Sequence, residues 1–415
     1  MALPTNILQQ VQTYQESNLA YLQNLYCFIS TANKKFKDFQ KLQGNLGDTV
    51  TFDLTPRYTT TNTLVANFQP SAQRVKSLTV DQAVNTAYAF TAQQFIFNVQ
   101  DYMEKFGMAA TKEIATTVES DVAAIIPSNT YRFYGDGVTA INSFSQLASM
   151  LAYFRNYGAA IGNVRGYLSD IAIPSIVNTG LSQFVMDRNE ELAMSWMLGK
   201  FSDCEWYQSN LLPIHTAGLI GNGASAAVQT LTVVSTDDPT GANITQITCT
   251  CDGSLSGATG VIKANDVGYF LPASGLNYLT FVGHKPSANP VQIRAIADAN
   301  ASGTTVVLSV APSLVAVANQ NQNINKNIVA GMTIKMMPSH RCGLLMSGDA
   351  LYLAMPQLPE EVPYPTANKA DSDTGVSIRQ YYGSAFGQNQ RGMVHDAIWG
   401  KALVDEYAMR ILFPL

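Results

Sequence analysis

Asp48-Thr49-Val50-Thr51-Phe52-Asp53-Leu54 alternates polar and apolar side chains, with Val50, Phe52 and Leu54 on one side and Thr49, Thr51 and Asp53 on the other. A period of two is the mark of a half-buried strand. A second alternating run, Val75 to Val80, predicts another strand. Between them, Thr55 to Gln73 is rich in Thr and Asn, carries Pro56 and Pro70, and holds little core material. Tight hairpin loops have ~2–5 residues, so a polar connection of about twenty needs a reason for its length. One reason is that it reaches out and lies on another subunit.

The segments on either side have different periods. Upstream, Leu22, Leu25, Tyr26 and Ile29 fall on one helical face. Lys34, Lys35, Lys37 and Lys41 follow, interleaved with Phe36 and Phe39, and read as a solvated helix face. Downstream, Phe106, Ala110, Ile114, Val118, Val122 and Ile125 predict a helix over Asp101 to Ile126. It is expected to break at Gly107 and to stop at Pro127. Phe144 to Arg155, Pro174 to Phe184 and Asn189 to Leu198 also read as helices, and Gly166 to Ile171 as a short strand.

Near residue 222 the pattern changes. No Lys or Arg occurs from Ser202 to Ile262. Short β-branched runs take over at Val228–Val234, Ile244–Cys251, Val261–Phe270, Leu279–Val282, Val291–Ile296 and Thr304–Val310, separated by turn clusters. Such a series predicts a small β-barrel or sandwich inserted in the chain. Helix and strand signals mix again from Leu344 to Leu415.

Composition narrows the function classes. Of 415 residues 47% are apolar, which excludes disorder. No run approaches the ~18 apolar residues of a membrane helix. Charged residues are 13%, about half the ~25% of an ordinary soluble domain. The net charge is -5, with no basic patch for nucleic acid. Five scattered cysteines, Cys27, Cys204, Cys249, Cys251 and Cys342, suit free thiols in a reducing compartment. Met1 to Gln10 lacks the basic and apolar regions of a signal peptide, so a cytoplasmic product is expected. A neutral polar exterior suits either contact with other copies of the chain or a Thr/Asn-rich β domain.

Chemistry-bearing motifs are sparse. Gly221-Asn222-Gly223-Ala224-Ser225-Ala226 fits a loose dinucleotide pattern but reads as a linker. His215, His284, His340 and His395, and the pair Cys249/Cys251, show no metal-ligand spacing. The paired carboxylates Asp237-Asp238, Glu360-Glu361 and Asp371-x-Asp373 lie in loop-like stretches and read as solvated charge. No catalytic, cofactor or metal site is expected, and the chain is not expected to be an enzyme.

The order of parts, with Gly47-Asp-Thr-Val-Thr-Phe52, the helix Ala109–Ala123, Asn210–Gly218, Ile262-Lys-Ala-Asn-Asp-Val-Gly-Tyr-Phe270, Gly375–Arg379 and Asp396–Leu403, resembles the major capsid proteins of tailed bacteriophages, the Hong Kong ninety-seven-like fold. More narrowly, it is similar to short-tailed-phage coat proteins with an inserted barrel. Asn265 stands where that family usually has Gly. The resemblance implies an α+β fold: an N-terminal arm (1–48), an extended loop (49–90), a peripheral domain with a spine helix (91–130), an axial domain (131–221), the inserted barrel (222–337) and a return to the axial and peripheral domains (338–415). It implies an icosahedral shell around double-stranded DNA, built from hexamers and pentamers as a scaffold-assisted procapsid that expands on packaging. Implied partners are copies of itself, a scaffolding protein, a portal protein, DNA held without sequence specificity and, optionally, a decoration protein. No membrane and no cofactor is implied. The location would be the virion, after assembly in the host cytoplasm. Arg57, Tyr58, Phe68, Arg74 and Lys76 are the expected inter-subunit residues, with Arg57 and Arg74 reaching a neighbour's carboxylates. Some relatives cross-link a loop Lys to a neighbour's Asn; the only loop lysine here is Lys76, near the base, so a non-covalent shell is expected. The alternatives are a bacterial nanocompartment shell, a β-rich surface-binding module and an unrecognised hydrolase.

Overall fold

The structure is a computed structural model that describes residues 27–33, 46–60, 64, 68–69, 73–91, 99–158, 162–178, 197–201, 203–348, 350–360, 366–370, 377–384 and 390–415. The chain mixes helices and strands and contains a closed six-stranded barrel. It divides into two units, one of Met1–Phe52, Val75–Ala123 and Leu351–Leu403, the other of Asp53–Arg74, Ala124–Ala350 and Val404–Leu415.

The first unit is built on a sheet with strand order Thr49–Leu54, Arg74–Thr91, Gln390–Leu403, Ser377–Ser384 and Thr366–Ala370, with Leu351–Ala354 also paired to Gln390–Leu403. Val50, Phe52 and Leu54 face inward, as their alternation predicts. The second strand runs well beyond Val80, to Thr91, because Gln82, Val84, Thr86 and Tyr88 continue the inward row. Polar residues at inward positions hid this in the sequence. Leu78, Val80, Ala354, Ile398 and Ala402 form the local core, with Phe52 and Tyr352 packed against it, their rings 4.1 Å apart and tilted by 31°. A side chain at Gly400 would collide with the Thr79 carbonyl, so glycine is what lets these strands pair closely.

The helix Val99–Asn129 begins in this unit and its last residues belong to the second. Ala110, Thr111, Ile114, Ala115, Val118, Glu119, Val122, Ala123 and Ile126 are buried, at steps of three and four. The expected break at Gly107 does not occur. Thr111 Oγ1 bonds the Gly107 carbonyl at 2.9 Å, and the buried stripe below it outweighs the ~1 kcal/mol that a helical glycine costs. Nor does Pro127 stop the helix, which ends at Asn129. Proline there removes one N–H in the last turn, where Thr130 Oγ1 donates to the Ile126 carbonyl at 2.6 Å.

Buried Glu119 serves a neighbouring element. Its carboxylate accepts the backbone N–H groups of Phe28 and Ile29 at 2.8 and 3.0 Å, which caps the short helix Cys27–Thr31. Of the predicted N-terminal helical face only Ile29 lies within the described residues, and the Lys34–Lys41 run lies outside them.

The second unit holds a mixed sheet in the order Phe133–Tyr134, Ala408–Phe413, His340–Ser347, Val164–Ser169, Cys204–Ser209 and Met197–Phe201, with Ile214–His215 paired beside His340–Arg341. The helix Phe144–Asn156 opens with a capping box between Ser143 and Gln146. It packs Leu147, Met150, Leu151 and Phe154 onto Val164, Trp206, Leu345, Met409 and Ile411. The predicted strand Gly166–Ile171 is observed two residues earlier, at Val164–Ser169. The helix expected over Pro174–Phe184 is seen as Ile173–Asn178, and the remainder lies outside the described residues. Residues 189–196 of the next expected helix also lie outside them. Met197 and Leu198 open a strand instead, because pairing with Cys204–Ser209 across a left-handed Asp203 (φ 62°) overrides the local helical spacing.

The barrel is closed by Val267–Phe270, Gln292–Ala295, Thr305–Leu314, Ile244–Thr250, Thr230–Thr236 and Thr333–Met336. Its interior holds Leu231, Val233, Ile247, Cys249, Phe270, Ile293, Val306, Leu308 and Ile334, all buried. Two expectations are corrected. Leu279–Val282 is not a barrel strand: Asn277–Leu279 pairs with Pro286–Pro290 in a separate ribbon. The sixth barrel strand is Thr333–Met336, which sequence reading missed. Only the second half of Val261–Phe270 is extended, because Asn265 takes a left-handed turn (φ 73°), a conformation Asn tolerates better than most residues. From Leu344 onward the described residues contain strands and one short turn of 3₁₀ helix at Asp405–Tyr407, and no α-helix.

Candidate interaction surface

The connection between Leu54 and Arg74 belongs to the second unit and is tied down at its base. Gln73 Nε2 donates to Asp53 at 2.8 Å, and Arg74 Nη1 donates to the Thr55 carbonyl at 3.3 Å. Further out, Gln69 bridges to the backbone of Thr59, accepting its N–H at 2.9 Å. Both loop arginines converge on one carboxylate. Arg57 Nη2 donates to Glu406 Oε1 at 2.5 Å, and Arg74 forks across both oxygens, with Nη1 to Oε2 at 3.1 Å. The Arg57 guanidinium also lies over the Phe281 ring, 4.3 Å from its centre. Burial works against the charged form of Arg74, but the hydrogen bond and charge of Glu406 outweigh it and raise its pKa.

The sequence-based expectation gave Arg57 and Arg74 the carboxylates of a neighbouring copy. The carboxylate they share here is the chain's own. Glu406 is mostly buried in the Asp405–Tyr407 turn, and a planar guanidinium fork matches a carboxylate at that range. Nothing in the sequence linked Glu406 to residues more than 300 positions away.

The outer part of the connection is different. Tyr58 is 54% exposed, Phe68 94%, and Leu64 fully exposed. From Tyr58 to Gln73 no residue carries a charge. Lys76 sits half-buried on the long strand, between exposed Val75 and exposed Ser77. Loop base, barrel and terminal turn border a half-open polar cavity of about 530 Å3 whose lining includes Arg57, Arg74, Tyr131, Tyr157, Asn243 and Glu406.

Two histidines do converge in a way spacing did not show. His215 and His340 are register partners, with rings 5.4 Å apart. His215 Nε2 bonds Asp266 at 2.7 Å. His340 Nδ1 donates to the Pro338 carbonyl at 2.7 Å, and its Nε2 faces Arg410 Nη1 at 3.4 Å. Burial, then the Arg410 charge, pushes the His340 pKa down to about 3, so the ring is neutral. Fully buried Arg410 also donates to the carbonyls of Pro127, Thr130 and Asn265 and to the Thr130 hydroxyl. These groups are spent on one another; the cluster joins strand, barrel turn and helix end. His284 bonds the Gln322 carbonyl at 3.1 Å. Among the described residues no group of three or more His, Cys, Asp or Glu is placed to hold a metal. All five cysteines are buried thiols outside any disulfide, and the Cys27 thiol donates to Glu119 at 3.3 Å. Asp237 accepts from Thr245 on the next strand, which outweighs the opposing effect of burial, and Asp238 accepts from Thr240, Ala242 and Asn243 in its own turn; the pKa of both is lowered.

No protein-family model and no curated protein matches the sequence. Solved structures similar to the chain are phage capsids. They include the capsid of Ralstonia phage GP4, with 8% identity, a TM-score of 0.45, and coverage of 94% of this chain and 91% of that one. The cyanophage Pam1 capsid gives 10% identity, a TM-score of 0.43, and coverage of 91% and 87%. The capsid of cyanophage P-SCSP1u gives 10%, 0.40, and 92% and 88%.

Proposed function

We propose that this chain is a structural, non-enzymatic shell protein: the major capsid protein of a tailed phage, forming hexamers and pentamers of an icosahedral shell around double-stranded DNA. In this reading a scaffolding protein and a portal guide a procapsid that expands on packaging. Residues 1–48 are an arm, 49–90 an extended loop, 91–130 carry the spine helix, and 222–337 are an insertion in a body made of 131–221 and 338–415. The observation that carries it is the connection from Leu54 to Arg74. Its base is clamped by Arg57, Arg74 and Glu406, while Leu64 and Phe68 stand in solvent. Burying such side chains gives roughly 1.5–3 kcal/mol each, and in this reading a neighbouring copy supplies the cover. Tyr58, Phe68 and Lys76 would meet that neighbour, with Arg57 and Arg74 holding the loop in position.

Contacts of this size suit assembly. Weak individual interfaces let misplaced subunits leave, and closure then holds the whole. An acidic chain with no Lys or Arg between Ser202 and Ile262 also lets DNA enter without sticking. Negative-stain microscopy of the expressed chain tests the proposal. Uniform hollow particles are expected, with or without co-expressed scaffold; a strictly monomeric protein under both conditions would overturn it.

A further inference from the structure

The half-open cavity beside the Arg57–Glu406–Arg74 clamp is lined by residues of the second unit. Its volume of about 530 Å3 falls within the ~300–1,000 Å3 of ordinary small-molecule pockets. Those pockets are mainly apolar, and this one is polar. Its ionised side chains are Arg57, Arg74, Asp405 and Glu406, two of each sign, so their formal charges cancel. An ion entering it would give up hydration for no net opposite charge.

Two buried groups at its floor have hydrogens left over. Tyr131 and Tyr157 are each 3% exposed, and their hydroxyls lie 3.2 Å apart. One donates to the other, which leaves one O–H of the pair to give. Arg57 spends Nη2 on Glu406, while its buried Nε has no partner among the described residues. A buried donor left unpaired costs free energy, and a ligand oxygen recovers it.

The rim is built from neutral amides. Alternate residues Asn319, Asn321 and Asn323 line the cavity, and the glutamines between them turn to the chain itself. Gln320 Nε2 donates to Gln69 at 3.2 Å, and Gln322 Nε2 to the Ala316 carbonyl at 2.9 Å. Asn323 fixes this wall by donating to the Ser313 carbonyl at 2.7 Å and accepting the Val315 N–H at 2.8 Å. Exposed Asn243 and Asn321 give their backbone N–H groups to Asp238 and Asn319. Their side-chain amides make no bond to the described residues. Each offers a donor and an acceptor side by side, the match for two neighbouring hydroxyls.

Spare donors below, amide pairs above and no net charge suit a ring with a hydroxyl on nearly every carbon. We propose that this cavity binds a neutral sugar residue, with hydroxyl oxygens on Arg57 Nε and the tyrosine pair and a diol on Asn243 or Asn321. The proposal does not need the shell reading. In a shell the site would repeat at every subunit, and many weak sites together would hold a sugar-coated surface.

Saturation-transfer NMR on the full chain, assembled or not, tests it with glucose, galactose and N-acetylglucosamine at millimolar concentration. Transfer to at least one of them is expected. Asn243→Ala with Asn321→Ala should weaken that sugar about tenfold, since two neutral hydrogen-bonding side chains are lost. The melting temperature should stay that of the parent, because both side chains are exposed. Glucuronate should bind no better than glucose. No transfer to any of the three sugars overturns the proposal. So does an unchanged affinity in the double variant, which would put the sugar elsewhere. Tighter binding of glucuronate also overturns it, by making the cavity an anion site. Particle formation is a separate readout: sugar binding without particles sinks the shell reading alone, and particles without sugar binding sink this proposal alone.

Discussion

His340 and His395 set an acid limit on the folded subunit. Burial holds both imidazoles neutral, His340 with a pKa of about 3 and His395 about 4, against 6.5 when unfolded. His395 is stacked on Tyr88 at 5.8 Å, and neither ring nitrogen has a hydrogen-bond partner among the described residues. The folded pKa lies below the unfolded one, so above pH 6.5 neither group costs anything. As the pH falls toward 4, the unfolded chain takes up protons that the native one refuses. Stability should then drop by up to about 1.4 kcal/mol per pH unit for each ring. Urea unfolding at pH 7, 5.5 and 4.5 measures the slope. His395→Phe, which keeps the ring stack and removes the orphaned nitrogens, should flatten it; an unchanged slope would show that carboxylates dominate.

At the scale of elements the Arg57–Glu406–Arg74 clamp is the feature to break. Glu406→Gln keeps the shape and removes the charge that both guanidiniums share. Losing charge-assisted bonds worth roughly 1.5–3 kcal/mol should let the loop base open about tenfold more often or more. Trypsin cuts after arginine, so limited digestion should cleave after Arg57 and Arg74 correspondingly faster, with the barrel intact. An unaltered digestion rate would show that the Phe281 stack and backbone bonds suffice. Glu406 also marks where sequence reading ends. The strand Thr49–Leu54, the capped helix Phe144–Asn156 and five barrel strands were legible, because their signals are local periods and caps. The continuation of the second strand to Thr91 was not, since Gln82 and Thr86 break the apolar alternation while still facing inward. Helix signals read into the region after Leu344 were overridden by long-range pairing, as His340–Ser347 with Ala408–Phe413 shows. Of the site residues, Tyr58 and Phe68 are exposed, and the shared partner of the two arginines could only come from the fold.

At the scale of the whole molecule, exposed Leu64 and Phe68 test the proposed shell. Leu64→Ser with Phe68→Ser removes two solvent-facing side chains, so unfolding free energy should stay within about 0.5 kcal/mol of the parent. Particle yield should collapse, as read by sedimentation and negative-stain counting. Normal particles from this double variant would mean that the loop's apolar tip makes no contact between copies.

The pairing of His215 with His340 has one more consequence. Everything between those two residues leaves the body sheet and returns to it through neighbouring positions roughly 5 Å apart. In topology the stretch is one insertion, although its core is shared with Tyr131 and Tyr157. A foreign folded unit spliced there needs ends equally close, and must replace the Gln292 bonds to Phe133, the Asn289 bond to Tyr153, the Phe281 ring beneath Arg57, and the acceptors Asn265 and Asp266 that now serve Arg410 and His215.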